Sequence, residues 1–185
     1  MSKAKRTAVV SILFILFVTA IGFIGYFSSQ TGLESHSFSR PLAGSLGGCI
    51  DKYINRNSPG EIMWLVNLEA IVRKLAHLLE YTVLGVIACS LLNVLTQRVW
   101  LAAFTALLTS PIIAFLDELN QKFSYARTPS WFDVKIDTTG ALIGVILVTA
   151  FFLIFTKIEK LKCRIAELEN LMVYQQNPPH DGKLP

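Results

Sequence analysis

Long apolar runs broken by short polar stretches dominate the chain, with no helical or strand-like alternation inside them. Four runs stand out: 7–27, 75–95, 99–116 and 138–155. Each holds about 18 to 21 residues, close to the roughly 20 needed to cross about 30 Å of hydrocarbon as a helix. Backbone groups in lipid have no water to bond, so each run is predicted to be a transmembrane α-helix. The first follows a short basic leader, as a signal peptide does. Its apolar part exceeds a cleavable core and no small-residue cleavage site follows, which predicts a retained anchor. Pro111 within the third run is expected to kink it unless neighbouring groups take up the freed carbonyl.

The segments between the runs fill in the layout. Thr96-Gln97-Arg98 leaves a turn of a few residues, so the second and third helices form an antiparallel hairpin. The segment 28–72 is a long outer loop. Within it, Ser58-Pro59-Gly60-Glu61 has the form of a capping box with proline at the first helical position. The stretch IMWLVNLEAIV after it is too short to span, and either lies in the headgroup plane or runs directly into the second helix. Past Phe155, the spacing of Ile158, Leu161, Ile165, Leu168 and Met172 predicts a juxtamembrane helix over 157–173. Residues 174–185 read as a disordered tail. The fold class is therefore all-α: a polytopic membrane protein whose transmembrane domain fills 1–156.

Composition agrees, with 52% apolar and 16% charged residues in 185. The net charge of +4 comes largely from the amino terminus and from the segment after residue 156, which suits anionic headgroups and gives no sign of nucleic-acid binding. Lys3, Lys5, Arg6, Arg98, Lys157, Lys160, Lys162 and Arg164 flank one side. Arg73, Lys74, Lys122, Arg127 and Lys135 flank the other, with Arg40 further along its loop. The positive-inside rule then puts both termini in the cytoplasm. Cys49, Cys89 and Cys163 are far apart and form neither a disulfide framework nor a metal motif.

One membrane face gathers the polar residues of the spans. The second helix enters with Arg73, Lys74, His77, Glu80 and Tyr81. The third leaves with Asp117, Glu118, Asn120 and Gln121. The fourth enters with Asp133, Lys135 and Asp137, preceded by Arg127, and the first ends in Ser28-Ser29-Gln30. Arg73, His77 and Glu80 share a stripe at i, i+4 and i+7. Asp133 and Asp137 stand above Gly140 and Gly144, a G-x-x-x-G face that lets another helix approach closely. A charge at a helix centre costs roughly 2.5 to 3.5 kcal/mol on insertion scales, less near the interface, so these groups should satisfy one another inside a shared pocket.

The combination RKLAHLLEYTVLG, DELNQKFSYARTPSWFD and DTTGALIG resembles the VanZ-like family, named after a teicoplanin-resistance protein of Gram-positive bacteria. The resemblance runs from Ser28 to Gly144, with Arg73, Lys74, His77, Glu80, Tyr81, Asp117, Glu118, Gln121, Arg127, Asp133, Gly140 and Gly144 on the family pattern. Where many relatives carry asparagine in the last motif, this chain has Asp137-Thr138-Thr139. The resemblance implies a bacterial cytoplasmic-membrane protein, in some members linked to glycopeptide resistance, and supplies no agreed reaction.

Three functions fit these residues. A binding pocket would use Arg73, Lys74, Tyr81, Glu118, Gln121, Arg127 and Asp137 to hold an amphipathic lipid-like ligand, a lipid-linked envelope molecule or a lipoglycopeptide. An enzyme would use His77, Glu80, Asp117 and Asp133 for acid–base chemistry on a lipid-linked substrate. A structural network would only fix helix packing, since five basic groups (Arg73, Lys74, Lys122, Arg127, Lys135) balance five acidic ones (Glu80, Asp117, Glu118, Asp133, Asp137). No resident cofactor is expected; one histidine among several carboxylates would suit Mg or Mn better than Zn. The D-G and A-R elements that precede the closing aspartate pair of CDP-alcohol phosphotransferases are missing, and lipid-phosphatase motifs with two separate histidines are absent, since His36 and His180 lie in loops.

Overall fold

A computed structural model describes residues 2–29, 41, 44–45, 61–122 and 130–176, with side chains described throughout except at 61–67, 69 and 122. Among these residues the protein is all-helical. The helices are α1 (Lys3–Ser29), α2 (Glu61–Thr96), α3 (Val99–Lys122) and α4 (Trp131–Gln176). Each contains a stretch long and apolar enough to cross a membrane.

All four helices outrun the apolar segments that announce them. The helix α2 begins at Glu61, so the apolar stretch after it joins the second span without a break. Residues 58–60 of the expected capping box lie outside the described residues. The helix α3 continues past Leu116 through the polar run to Lys122. The expected juxtamembrane helix is the inner part of α4, a single helix of 46 residues and about 69 Å. Of the expected disordered tail, Tyr174–Gln176 are helical and 177–185 lie outside the described residues. Backbone hydrogen bonding within a helix does not require an apolar side chain, so hydropathy marks the membrane-crossing part and not the helix ends.

The helices alternate in direction. At one end, the Arg6 guanidinium of α1 donates to the carbonyl oxygens of Val94 and Leu95 at 3.2 and 2.9 Å. It thereby satisfies acceptors that every helix C-terminus leaves open, at the negative end of the α2 dipole. At the other end, Ser28 Oγ of α1 donates to the Asp117 carbonyl of α3 at 3.3 Å. The residues Gln97 and Arg98 connect α2 to α3, and Gln97 takes a left-handed φ of 55°. Such a conformation usually ends a helix on glycine. Pro111 leaves α3 helical; Ser110 Oγ donates to the Ala106 carbonyl at 2.7 Å, one turn back.

Packing relies on small side chains. Cys89, Ala103, Ala106, Val145 and Val148 join α2, α3 and α4 in one core cluster. Ile24, Tyr81, Leu84 and Ala114 join α1, α2 and α3 in another. The most extensive pairing, α2 with α4, is nearly backbone to backbone. A Cβ on Gly140 would strike the Leu78 carbonyl oxygen, one on Gly144 the Thr82 carbonyl oxygen, and one on Gly85 the Ala141 carbonyl oxygen. The outward faces carry Leu79, Val83, Phe104, Leu108, Ile146 and Phe151, all exposed and apolar, as lipid contact demands.

The start of α4 is fixed by a neighbouring helix. Ser130 is its N-cap: the Ser130 hydroxyl accepts from Phe132 N–H at 3.2 Å. In a capping box the third helical residue reaches back to the N-cap amide. Here Glu118 of α3 accepts the Ser130 N–H instead, while Asp133, at that third position, adds negative charge to the first turn.

Two expectations follow. Gly144→Val should destabilise the folded protein by about 1 to 3 kcal/mol or more, read by unfolding in bicelles, whereas Gly22→Ala, with nothing within 4 Å of the added Cβ, should leave stability nearly unchanged. Glu118→Ala should cost about 1.5 to 3 kcal/mol, the range for a hydrogen bond to a charged group. Hydrogen exchange at Ser130–Val134 should quicken, with Glu118→Gln closer to the wild type.

Candidate functional site

The glycine seam sets the depth and rotation of α4 against α2, and three residues before Gly140 stands Asp137. Its side chain is 1% exposed. One carboxylate oxygen, Oδ1, lies 3.7 Å from Nδ1 of His77 on α2. One turn further along α2, Tyr81 is fully buried and its hydroxyl sits beside the Asp117 carboxylate of α3. His77, Asp117 and Asp137 bring one nitrogen or oxygen each to within 4.8 Å of one another. Four helices contribute, since Ser28 of α1 is also buried against Asp117.

The local order of each helix explains this meeting. On α2, His77, Tyr81, Leu84 and Ala88 fall at i, i+4, i+7 and i+11, and the last three are buried. That stripe is the inward face. Glu80, one residue from Tyr81, is half-buried beside it. On α3, Asp117 and Gln121 are four apart, and Gln121 Nε2 donates to Asp117 Oδ2 at 3.3 Å, which fixes the carboxylate orientation. Ala114, three residues before Asp117, is fully buried and lets the neighbouring helices close in below the polar layer.

Not every residue singled out by sequence shares that centre. Asp137 stands beside His77, a carboxylate that the stripe of Arg73, His77 and Glu80 did not point to. Asp133 is half-buried in the first turn of α4, one turn from Asp137. Asp133, Glu118 and Glu80 surround Asp137 as further carboxylates. Glu118 is occupied in starting α4. Lys74 is exposed, its ammonium 4.6 Å from the centre of the Phe132 ring, a cation–π contact across the α2–α4 junction. Arg73 is half-buried on the side of α2 that leads to His77. Arg127 lies outside the described residues.

Both Asp137 oxygens, and the Tyr81 hydroxyl, are buried with no hydrogen-bond partner among the described residues by strict geometry. Burying a carboxylate without compensation is unfavourable. The arrangement can therefore bind a positive group, hold a proton, or orient the His77 imidazole. Two polar contacts escaped the sequence reading. Glu118 to Ser130 joins residues 12 apart on different elements, with no signal for the contact in the sequence between them. Arg6 carried a signal only as a flanking charge.

The family model VanZ/LLP1 matches residues 11–154. None of the curated proteins and none of the solved structures compared with the chain matches it. The matched span takes in part or all of each helix, the glycine seam and every residue of the polar layer from Ser28 to Asp137, so the chain belongs to the VanZ/LLP1 family.

Proposed function

We propose that the protein recognises the polar head of an amphipathic envelope molecule at the outer leaflet of the bacterial cytoplasmic membrane. The head enters the layer formed by Ser28, His77, Tyr81, Asp117, Gln121 and Asp137, and the tails lie along exposed apolar faces. The observation that carries this reading is the burial of ionisable side chains from separate helices at one depth in spans that are otherwise apolar. Such groups are expensive in hydrocarbon and usually mark a site. Arg73 and Lys74 at the rim add positive charge that suits a phosphate or carboxylate of the same molecule. The excess of basic residues at the opposite end of the bundle, beside both termini, supports an outward-facing site. Lipid-linked cell-wall molecules and acylated glycopeptides such as teicoplanin share the chemistry of a polar head on an apolar tail.

A second reading, a membrane enzyme acting on a lipid-linked substrate, is favoured by one distance, the 3.7 Å between His77 Nδ1 and Asp137 Oδ1. A carboxylate at that nitrogen holds an imidazole in the orientation a general base needs. Under this reading Asp137 joins the acid–base set of His77, Glu80, Asp117 and Asp133.

Gently purified full-length protein, examined by native mass spectrometry, should retain about one amphiphile per chain. Arg73→Ala should reduce retention several-fold and Asp117→Asn should reduce it about tenfold or more, with helix content unchanged. Retention no greater than that of bulk phospholipid, or equal in both variants, removes the binding reading. Turnover of the retained lipid that stops in His77→Ala while binding persists favours the enzyme. Expression in teicoplanin-susceptible cells tests the resistance link alone, through a rise in the growth-inhibiting concentration that Asp117→Asn abolishes.

A further inference from the structure

We infer that His77, Asp117 and Asp137 form a binding site for one divalent cation, with manganese the best match, within the outer part of the helix bundle. Three different elements supply the ligands: the imidazole comes from α2 and the carboxylates from α3 and α4. Their donor atoms lie within 4.8 Å of one another, and the His77 Nδ1 to Asp137 Oδ1 distance is 3.7 Å. Two ligand atoms bound at about 2.1 Å to the same ion stand roughly 3 to 4.2 Å apart, according to the angle between them. Bringing the longest side from as much as 4.8 Å into that range takes a closure of at least about 0.6 Å.

The condition of Asp137 points to a positive group in the space it faces. Its side chain is 1% exposed, and neither oxygen has a hydrogen-bond partner among the described residues. Asp137 aims an oxygen at the space shared with His77 and Asp117, while Glu80, Glu118 and Asp133 add to the negative potential around it. A divalent ion there relieves the repulsion among all of these groups.

The surroundings also resemble the outer shell of a metal site. Ligating carboxylates are normally held by further hydrogen bonds. Gln121 donates to Asp117 Oδ2, and the Tyr81 hydroxyl lies beside the same carboxylate. With one nitrogen and two carboxylate ligands and no thiolate, the set favours a hard to borderline ion. Carboxylates suit Mn and Mg, and the imidazole tips the choice toward manganese. Three protein ligands leave coordination positions for water or for an oxygen of a bound headgroup. The cation site itself does not rest on the headgroup reading.

Full-length protein stripped with a chelator and placed in nanodiscs of zwitterionic phosphatidylcholine, which offers no anionic lipid for the metal, is titrated with Mn2+ and followed by electron paramagnetic resonance. The expected result is one Mn2+ per chain above empty nanodiscs, with nitrogen coupling from the imidazole. Asp137→Asn should weaken binding at least about tenfold, and His77→Gln should remove the nitrogen coupling. Asp137→Asn should also melt higher than the metal-free wild type, because a buried negative charge has gone, yet gain no further stability from Mn2+. This melting signature guards against loss of binding through misfolding, and the nitrogen coupling of the wild type is read without any variant. Binding equal to that of empty nanodiscs, absence of nitrogen coupling, or undiminished binding in a folded Asp137→Asn variant overturns the site.

Discussion

The approach of α2 to α4 through glycine is the constraint on which the rest of the architecture depends. Lipid supplies no hydrophobic drive for two helices to associate, so packing contacts and polar bonds must do so. Gly85, Gly140 and Gly144 remove the side chains that would hold the backbones apart, and Leu78, Thr82 and Ala141 meet them. This contact fixes the rotation and depth of α4. A shift of one residue would turn Asp137 by about 100°, away from His77 and toward the bilayer.

Electrostatics and packing are therefore coupled in this bundle. The seam lies directly below the polar layer, and the alanines of α3, which let it nest against both neighbours, lie at and below the same level. The polar layer in turn contributes inter-helix contacts that methyl groups cannot. Ser28 ties α1 to α3, Glu118 ties α3 to the first amide of α4, and Tyr81 fills the centre beside Asp117. At the opposite end, Arg6 performs a similar service with a single side chain, closing the carbonyl end of α2 from the neighbouring helix.

Much of this arrangement was legible in the sequence, because the bilayer simplifies the problem. Apolar runs of spanning length can only be helices, short turns force antiparallel neighbours, and polar residues at the ends of three successive runs must meet. Those rules located His77, Asp117 and Asp137 in one layer. They did not identify who faces whom. The stripe of Arg73, His77 and Glu80 has correct helical spacing, yet the inward face of α2 is rotated slightly and centres on Tyr81 and Leu84. The glycine contact on α4, which the sequence of α2 alone does not encode, decides that rotation. Helix ends were equally hidden, since hydropathy falls at the membrane surface while backbone hydrogen bonding continues. The role of Glu118 as a helix-starting acceptor depends on a tertiary return of the chain and had no local signal.

The unbroken course of α4 from Trp131 to Gln176 has a bearing on the far side of the bilayer. A continuous helix keeps its angular phase, so the azimuth of Ile158, Leu161, Ile165, Leu168 and Met172 is dictated inside the membrane, roughly a quarter turn round from Gly144. Whatever that oily ridge leans against, its compass bearing is inherited from three missing side chains some tens of ångströms away.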